Sequence, residues 1–213
     1  MSEPVKNHWE QVYQTKAVDS VSWYQAEDKR TLTLFKSLQL PLEASIIDVG
    51  SGASILVDQL LEAGYHKLYV LDLSKTALQH TQSRVREKGL DSQQVTWQVG
   101  DVCEVKLLSQ QFDVWHDRAV FHFMLTEAQQ TQYLNNLKRA LKSGGYVSMS
   151  TFDEHGPTQC SGLPVQRYNI TQLQQRLGED FQLIDSEQHN HVTPWDSEQA
   201  FLTSVWQYHG SAN

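Results

Sequence analysis

Two glycines and three acids are the residues whose types and spacing point first to chemistry. Asp48, Gly50 and Gly52 stand in the order D-x-G-x-G at the end of a short apolar run over 45–50. Asp72 ends a second run, and Asp101 follows a third. In an open α/β sheet, ligands bind beyond the carboxyl ends of neighbouring strands. An acid at the second strand end can accept both hydroxyls of a ribose. One at the third can accept from an exocyclic amine, and the glycines let the backbone turn tightly against the ligand. A dinucleotide fingerprint needs a third glycine where this chain has Ile55, and the Gly-Lys-Ser/Thr ending of a triphosphate loop is missing. The set describes an adenosine with a cationic tail and no phosphate.

A second group surrounds the place where such a ligand would react. His116-Asp117-Arg118 follows an apolar run at 112–115, where His116 or Asp117 can act as a base or orient an amine. Arg118 can line the acceptor or form an ion pair with Asp117. Trp9, Tyr13, Trp23 and Tyr24 precede the first strand, and aromatic faces attract a nearby cation. Late in the chain, a glycine- and proline-bounded segment over 153–167 is long enough to roof a site. It contains Cys160 and ends in Arg167 and Tyr168, and Arg167 can clamp an anionic acceptor through paired hydrogen bonds. His189 and His191 fall on one face of a strand but lack a third ligand at recognisable spacing, which predicts no metal site.

The elements that must position these groups alternate. Apolar runs at 45–50, 68–72, 95–99, 112–115 and 146–152 read as buried strands. Between the first two, Ala53, Leu56, Val57, Leu60 and Leu61 recur with helical spacing up to Gly64. Ser74 caps a second helix reaching Gly89, and Thr126 with Gln129 forms a capping box ahead of a third that the Gly144-Gly145 pair stops. A further helix ends at Gly178, and strands at 181–184 and 200–206 close the chain as an antiparallel hairpin. Strand–helix alternation predicts an α/β fold, a single doubly wound, mostly parallel seven-stranded sheet. One domain over 1–213 is expected, with an aromatic lid at 1–40, a cofactor-binding core at 41–152, and an acceptor loop and hairpin at 153–213.

With D-V-G-S-G at 48–52, Asp72, V-G-D at 99–101 and the glycine pair before the fifth strand, the chain resembles the class I S-adenosylmethionine-dependent methyltransferases. The resemblance implies a Rossmann-like fold with S-adenosyl-L-methionine as cofactor. It implies that the glycine loop (Asp48, Gly50, Gly52) holds the methionine part, Asp72 the ribose and Asp101 the adenine, with Val102 lining the base. Relatives often open with a W-x-x-x-Y helix over the cofactor, which gives Trp9 and Tyr13 a lid role. Tyr24, Arg118, Cys160, Arg167 and Tyr168 are the expected acceptor-side residues, and His116 and Asp117 the expected catalytic ones. D-R-A-V-F at 117–121 is similar to a segment of the lysine methyltransferases that modify elongation factor 1A. Those carry Asp-Lys-Gly where this chain has Asp117-Arg118-Ala119.

Composition narrows the partners. The formal net charge is −8 without a basic run, which disfavours a nucleic acid. Two cysteines are too few for a disulfide framework. The absence of an apolar run near the ~20 residues of a spanning helix predicts a soluble, cytoplasmic protein without membrane contact, monomer or homodimer. The expected acceptor is a small molecule taking the methyl on O, N or S, with a protein lysine as the alternative. A non-catalytic cofactor-binding scaffold ranks lower, because it would not need the polar cluster at 116–118.

Overall fold

The computed structural model describes residues 3–210, so the ends of the predicted 1–213 domain lie outside the described residues. Helix α1 (Glu3–Thr15) and helix α2 (Lys29–Ser37) precede the first strand. Strands β1 (Ser45–Val49), β2 (Lys67–Asp72) and β3 (Val95–Val99) alternate with α3 (Leu56–Glu62) and α4 (Lys75–Glu87). Strand β4 (Phe112–Arg118), α5 (Glu127–Ala140) and β5 (Leu141–Phe152) follow. A two-residue ladder of β6 (Gln159–Cys160) and β7 (Leu163–Pro164) leads to α6 (Ile170–Leu177), β8 (Phe181–Val192) and β9 (Glu198–Tyr208).

The main sheet runs β3-β2-β1-β4-β5-β9-β8, parallel as far as β5 and antiparallel from there. This is the predicted seven-stranded sheet with its closing hairpin. Because the central strands are covered on both sides, their apolar residues divide by period two. Ile46, Val70 and Val114 pack with Phe35, Leu56, Leu60 and Leu78 of α2, α3 and α4. Ile47, Leu71, Trp115 and Met149 pack on the other face with Tyr133, Leu137 and Leu173 of α5 and α6. Local chemistry sets the helix starts: Ser74 caps α4 through the Ala77 N–H, and Thr126 and Gln129 form the capping box of α5. Asn169 and Gln172 form another at α6, which ends at Gly178 with φ 89°.

Several boundaries differ from the sequence reading. Strand β4 continues through Arg118, so His116, Asp117 and Arg118 lie on the strand rather than beyond it. Gly144 and Gly145 fall inside β5, beside the register shift between Phe112 and Val114. They mark an irregularity of the ladder, and the helix has already ended. Strands β8 and β9 are much longer than their apolar cores. Most of β8 is exposed, so its side chains carry no burial pattern, and pairing with β9 holds it. Among the described residues, no helix is long and apolar enough to cross a membrane.

One buried ion pair fixes the turn after β1. Arg84 of α4 reaches fully buried Asp58 of α3 at 2.7 Å, and its remaining N–H groups donate to the carbonyls of Ala53 and Ser54. Replacing Arg84 with Met leaves a buried carboxylate whose other cation is Lys88 at 3.6 Å. Breaking such a pair costs about 3 kcal/mol, so Arg84→Met is expected to lower the urea unfolding midpoint markedly, with a normal m-value.

Candidate active site

A cavity opens at the carboxyl ends of β1, β2 and β4, under α1 and the segment that follows it. Its floor is the glycine loop. Gly50 and Gly52 have φ of 62° and 56°, and their missing Cβ atoms matter sterically as well as torsionally. A Cβ on Gly50 would lie 2.1 Å from Val120 Cγ2, and one on Gly52 would lie 2.2 Å from the Tyr13 hydroxyl. Tyr13 therefore sits where only glycine permits it. Asp72 ties this loop to the next helix: one carboxylate oxygen accepts the Gly52 N–H and the other the Ser74 N–H, both at 2.7 Å. Desolvation raises its pKa to about 6, against the pull of those backbone donors.

Asp48 is buried, and its Oδ2 has no hydrogen-bond partner among the described residues. Desolvation holds its pKa well above the carboxylate range. The negative fields of Asp28, Asp72 and Asp117 add to this, while Arg118 opposes it. The Ser51 hydroxyl, also on the cavity wall, is likewise without a partner. Val102 lines the cavity as expected. Asp101 is buried and accepts the Cys103 N–H at 2.9 Å, and its neighbours Gly100 and Val102, rather than Asp101 itself, form the wall.

Strand β4 sorts its polar residues by alternation. Asp48 pairs with His116, and His116 with Ser148, so all three side chains share the face toward the cavity. His116 Nδ1 lies 3.2 Å from Ser148 Oγ, and burial pushes the imidazole down to about 4, which keeps it neutral at neutral pH. Arg118, two residues on, lines the cavity and donates to the Trp23 carbonyl at 3.0 Å. Asp117 points the other way. It accepts the Val120 and Phe121 N–H groups and the Tyr133 hydroxyl, the last at 2.5 Å, and it pins the turn after β4 against α5. The expected catalytic role of Asp117 is thus corrected: period two places it on the α5 face, away from the cavity. The Asp117–Arg118 ion pair is absent for the same reason.

The roof is aromatic. Trp9 meets Trp23 and Phe123 edge-on at 5.5 and 5.4 Å, and the Trp23 indole N–H donates to the Tyr13 hydroxyl at 3.1 Å. Tyr24 and Cys160 complete this side, with burial pushing the Cys160 thiol up to about 12. Two predicted acceptor residues are elsewhere. Arg167 donates to the Gly156 carbonyl at 3.2 Å and holds its own loop. Tyr168 is buried, stacks on Phe121 at 5.5 Å and accepts from Gln130. Tyr168 belongs to the α5 side and Arg167 to its own loop, which turns through the small β6–β7 ladder before reaching them.

The sequence reading missed Glu10 and Asp28. Glu10 of α1 accepts from Ser74 Oγ at 2.7 Å and from the Thr76 hydroxyl and N–H, so it latches α1 onto the start of α4. Asp28 caps α2 through Thr31 and is buried near Asp48, His116 and Arg118. An acid ahead of a helix was legible as a cap, and nothing in its spacing marked it as a neighbour of the site.

Residues 46–145, which carry this floor and the β4 residues, match the family described as a methyltransferase domain. That match, with the seven-stranded fold, supports a class I S-adenosylmethionine-dependent methyltransferase. Human EEF1A lysine methyltransferase 2 is 23% identical over 159 residues, covering 68% of this chain and 66% of that protein. The zebrafish (Danio rerio) eEF1A lysine and N-terminal methyltransferase is 28% identical over 153 residues, covering 70% of this chain and 21% of the relative. The chain thus spans about two thirds of one of these curated relatives and about a fifth of the other. Among solved structures, the Burkholderia thailandensis 1,6-didemethyltoxoflavin-N1-methyltransferase, with 1,6-didemethyltoxoflavin and S-adenosylhomocysteine bound, superposes with a TM-score of 0.73. That likeness is at 17% identity over 97% of this chain and 88% of the other.

The residues present fit the family's cofactor. Asp48 Oδ2 and Ser51 Oγ are orphaned polar atoms on the wall where an amino-acid zwitterion needs an acceptor and a donor. Asp72 retains capacity for hydroxyl donors. Cofactor binding favours the charged forms of Asp48 and Asp72, so their pKa values fall on binding. Affinity is therefore expected to rise with pH, through about 6 for the Asp72 contribution, with protons released on binding wherever either acid starts protonated. Calorimetric titrations of S-adenosylhomocysteine in two buffers of different ionisation enthalpy check this, and a flat profile would remove both acids from the contacts. Gly52→Ala is expected to weaken the same binding at least about tenfold, because the positive φ is strained and Tyr13 must move.

Proposed function

We propose that the protein transfers the methyl group of S-adenosylmethionine to a nucleophilic O, N or S atom of a small-molecule acceptor. The observation that carries this reading is the roof over the cavity, which is fastened at several independent points. Arg118 holds the Trp23 carbonyl, His191 Nε2 lies 2.7 Å from the Ser22 carbonyl, Trp23 holds Tyr13, and Glu10 holds α4. A roof tied from β4, β8 and α4 suits an acceptor enclosed whole, and enclosure excludes water from the displacement. The toxoflavin-precursor enzyme, similar over nearly the whole of this chain, is a small-molecule methyltransferase of the same fold.

The cofactor supplies, when bound, an electrophilic methyl on a sulfonium. The chain's own residues do the rest. Asp48 and Ser51 hold the amino-acid end, Asp72 the ribose, and Gly100 with Val102 the base side. Trp9 and Tyr13 present ring faces to the cation. His116 is neutral at neutral pH, so its ring can accept a proton from the acceptor or orient it. An acceptor that arrives as an anion needs only alignment, worth up to several kcal/mol of barrier.

A protein lysine is the second reading, favoured by the elongation-factor methyltransferases among the relatives. Ala119 bears on it: the residue has φ 70°, the conformation that a glycine, as in the lysine enzymes' Asp-Lys-Gly, adopts without strain. Incubation with methyl-labelled S-adenosylmethionine and a cell extract separated by size decides between the two. Label is expected in the small-molecule fraction. Label confined to a protein band would favour the lysine reading, and none in either fraction, with cofactor binding intact, would favour a non-catalytic scaffold.

A further inference from the structure

We propose that the acceptor carries an oxyanion, a carboxylate or its equivalent, beside its reacting atom, and that the Arg118 guanidinium holds it. The inference rests on the methyl-transfer reading above and names the acceptor class of that same cavity. Arg118 uses Nη1 on the Trp23 carbonyl, while Nη2 is buried with no hydrogen-bond partner among the described residues. Its guanidinium lies 6.0 Å from the Phe201 ring centroid, a contact that leaves the planar donor edge free. Cys160 lies near Arg118, and as a thiol it brings no charge. Asp28 and Asp48 act on Arg118 through their fields, and neither forms a hydrogen bond with it. A buried guanidinium with an unused N–H is costly. An acceptor oxyanion on the cavity side supplies the missing partner.

Position separates this group from the cofactor's own carboxylate. Arg118 is held among Trp23, Cys160 and Phe201, on the roof and β9 side. Asp48, Gly50, Ser51 and Asp72 lie together on the glycine-loop side, where the unpartnered Asp48 Oδ2 and Ser51 Oγ suit the amino-acid end. Trp9, Trp23 and Phe123 line the same cavity and suit a flat apolar body. A fixed cation there also disfavours a lysine ammonium, by like-charge repulsion in a desolvated site. The anion clamp that the sequence reading gave to Arg167 thus passes to Arg118.

Calorimetry on protein saturated with S-adenosylhomocysteine tests this with benzoate and its neutral isostere benzamide, acetate serving as the smaller probe. Benzoate or acetate is expected to bind saturably, and benzamide at least about tenfold more weakly than benzoate. Arg118→Gln is expected to lose carboxylate binding at least about tenfold while changing S-adenosylhomocysteine affinity less than about threefold, with Arg118→Lys in between. Equal binding of benzoate and benzamide, or no binding of either carboxylate, would overturn the proposal. So would loss of S-adenosylhomocysteine affinity in Arg118→Gln equal to that for benzoate, since the guanidinium would then serve the cofactor. If Arg118→Gln does not fold, Arg118→Lys gives the same comparison. Failure of the wild type to transfer label would sink the methyl-transfer reading and leave the carboxylate result to stand or fall separately.

Discussion

The Asp72 carboxylate, shared between the Gly52 and Ser74 N–H groups, is the contact on which the cavity depends. It joins the loop after β1 to the start of α4 across the top of two parallel strands. Each such charge-assisted bond contributes about 1.5–3 kcal/mol, which offsets part of the cost of burying the acid. Its reach extends further through Ser74, whose hydroxyl donates to Glu10 of α1, and through Gly52, whose missing Cβ makes room for Tyr13. One carboxylate therefore links floor, second helix and roof. The latch of the roof helix, Glu10 on Ser74 and Thr76, thus lies next to the residue that anchors the floor.

Legibility in the sequence followed the physics of each element. The central strands and helices were readable because both faces of a parallel sheet are buried and helix starts need caps: Ser74 and Thr126 mark theirs by chemistry alone. The D-x-G-x-G turn was readable because only glycine tolerates its conformation and closeness. Strand β8 was mostly invisible beyond its first four residues, since an edge strand held by backbone pairing imposes no pattern on exposed side chains. The face of each β4 residue was hidden by a boundary error: with the strand ended at Trp115, the alternation of His116, Asp117 and Arg118 could not be applied. Arg167 and Tyr168 were misplaced because a long loop fixes no direction, and the β6–β7 ladder that turns it has no strong signal. Glu10 escaped notice because its partners lie more than sixty residues away.

The acids and the cation of the cavity sit on different sides. Asp48 and Asp72 lie on the glycine-loop side and Arg118 on the roof side, with Asp28 acting on both Asp48 and Arg118. A cationic cofactor and the anionic acceptor proposed above would complement that division, each stabilised by the group on its own side. Methyl transfer then removes the attraction that assembled them. The sulfonium becomes a neutral thioether, so the field of Asp48 and Asp72 loses the charge it favoured, while the amino-acid end keeps its contacts. At short range in a desolvated cavity the loss is larger than it would be in water. On the methyl-transfer reading, the acids that draw the sulfonium cofactor would therefore hold its neutral thioether product less tightly.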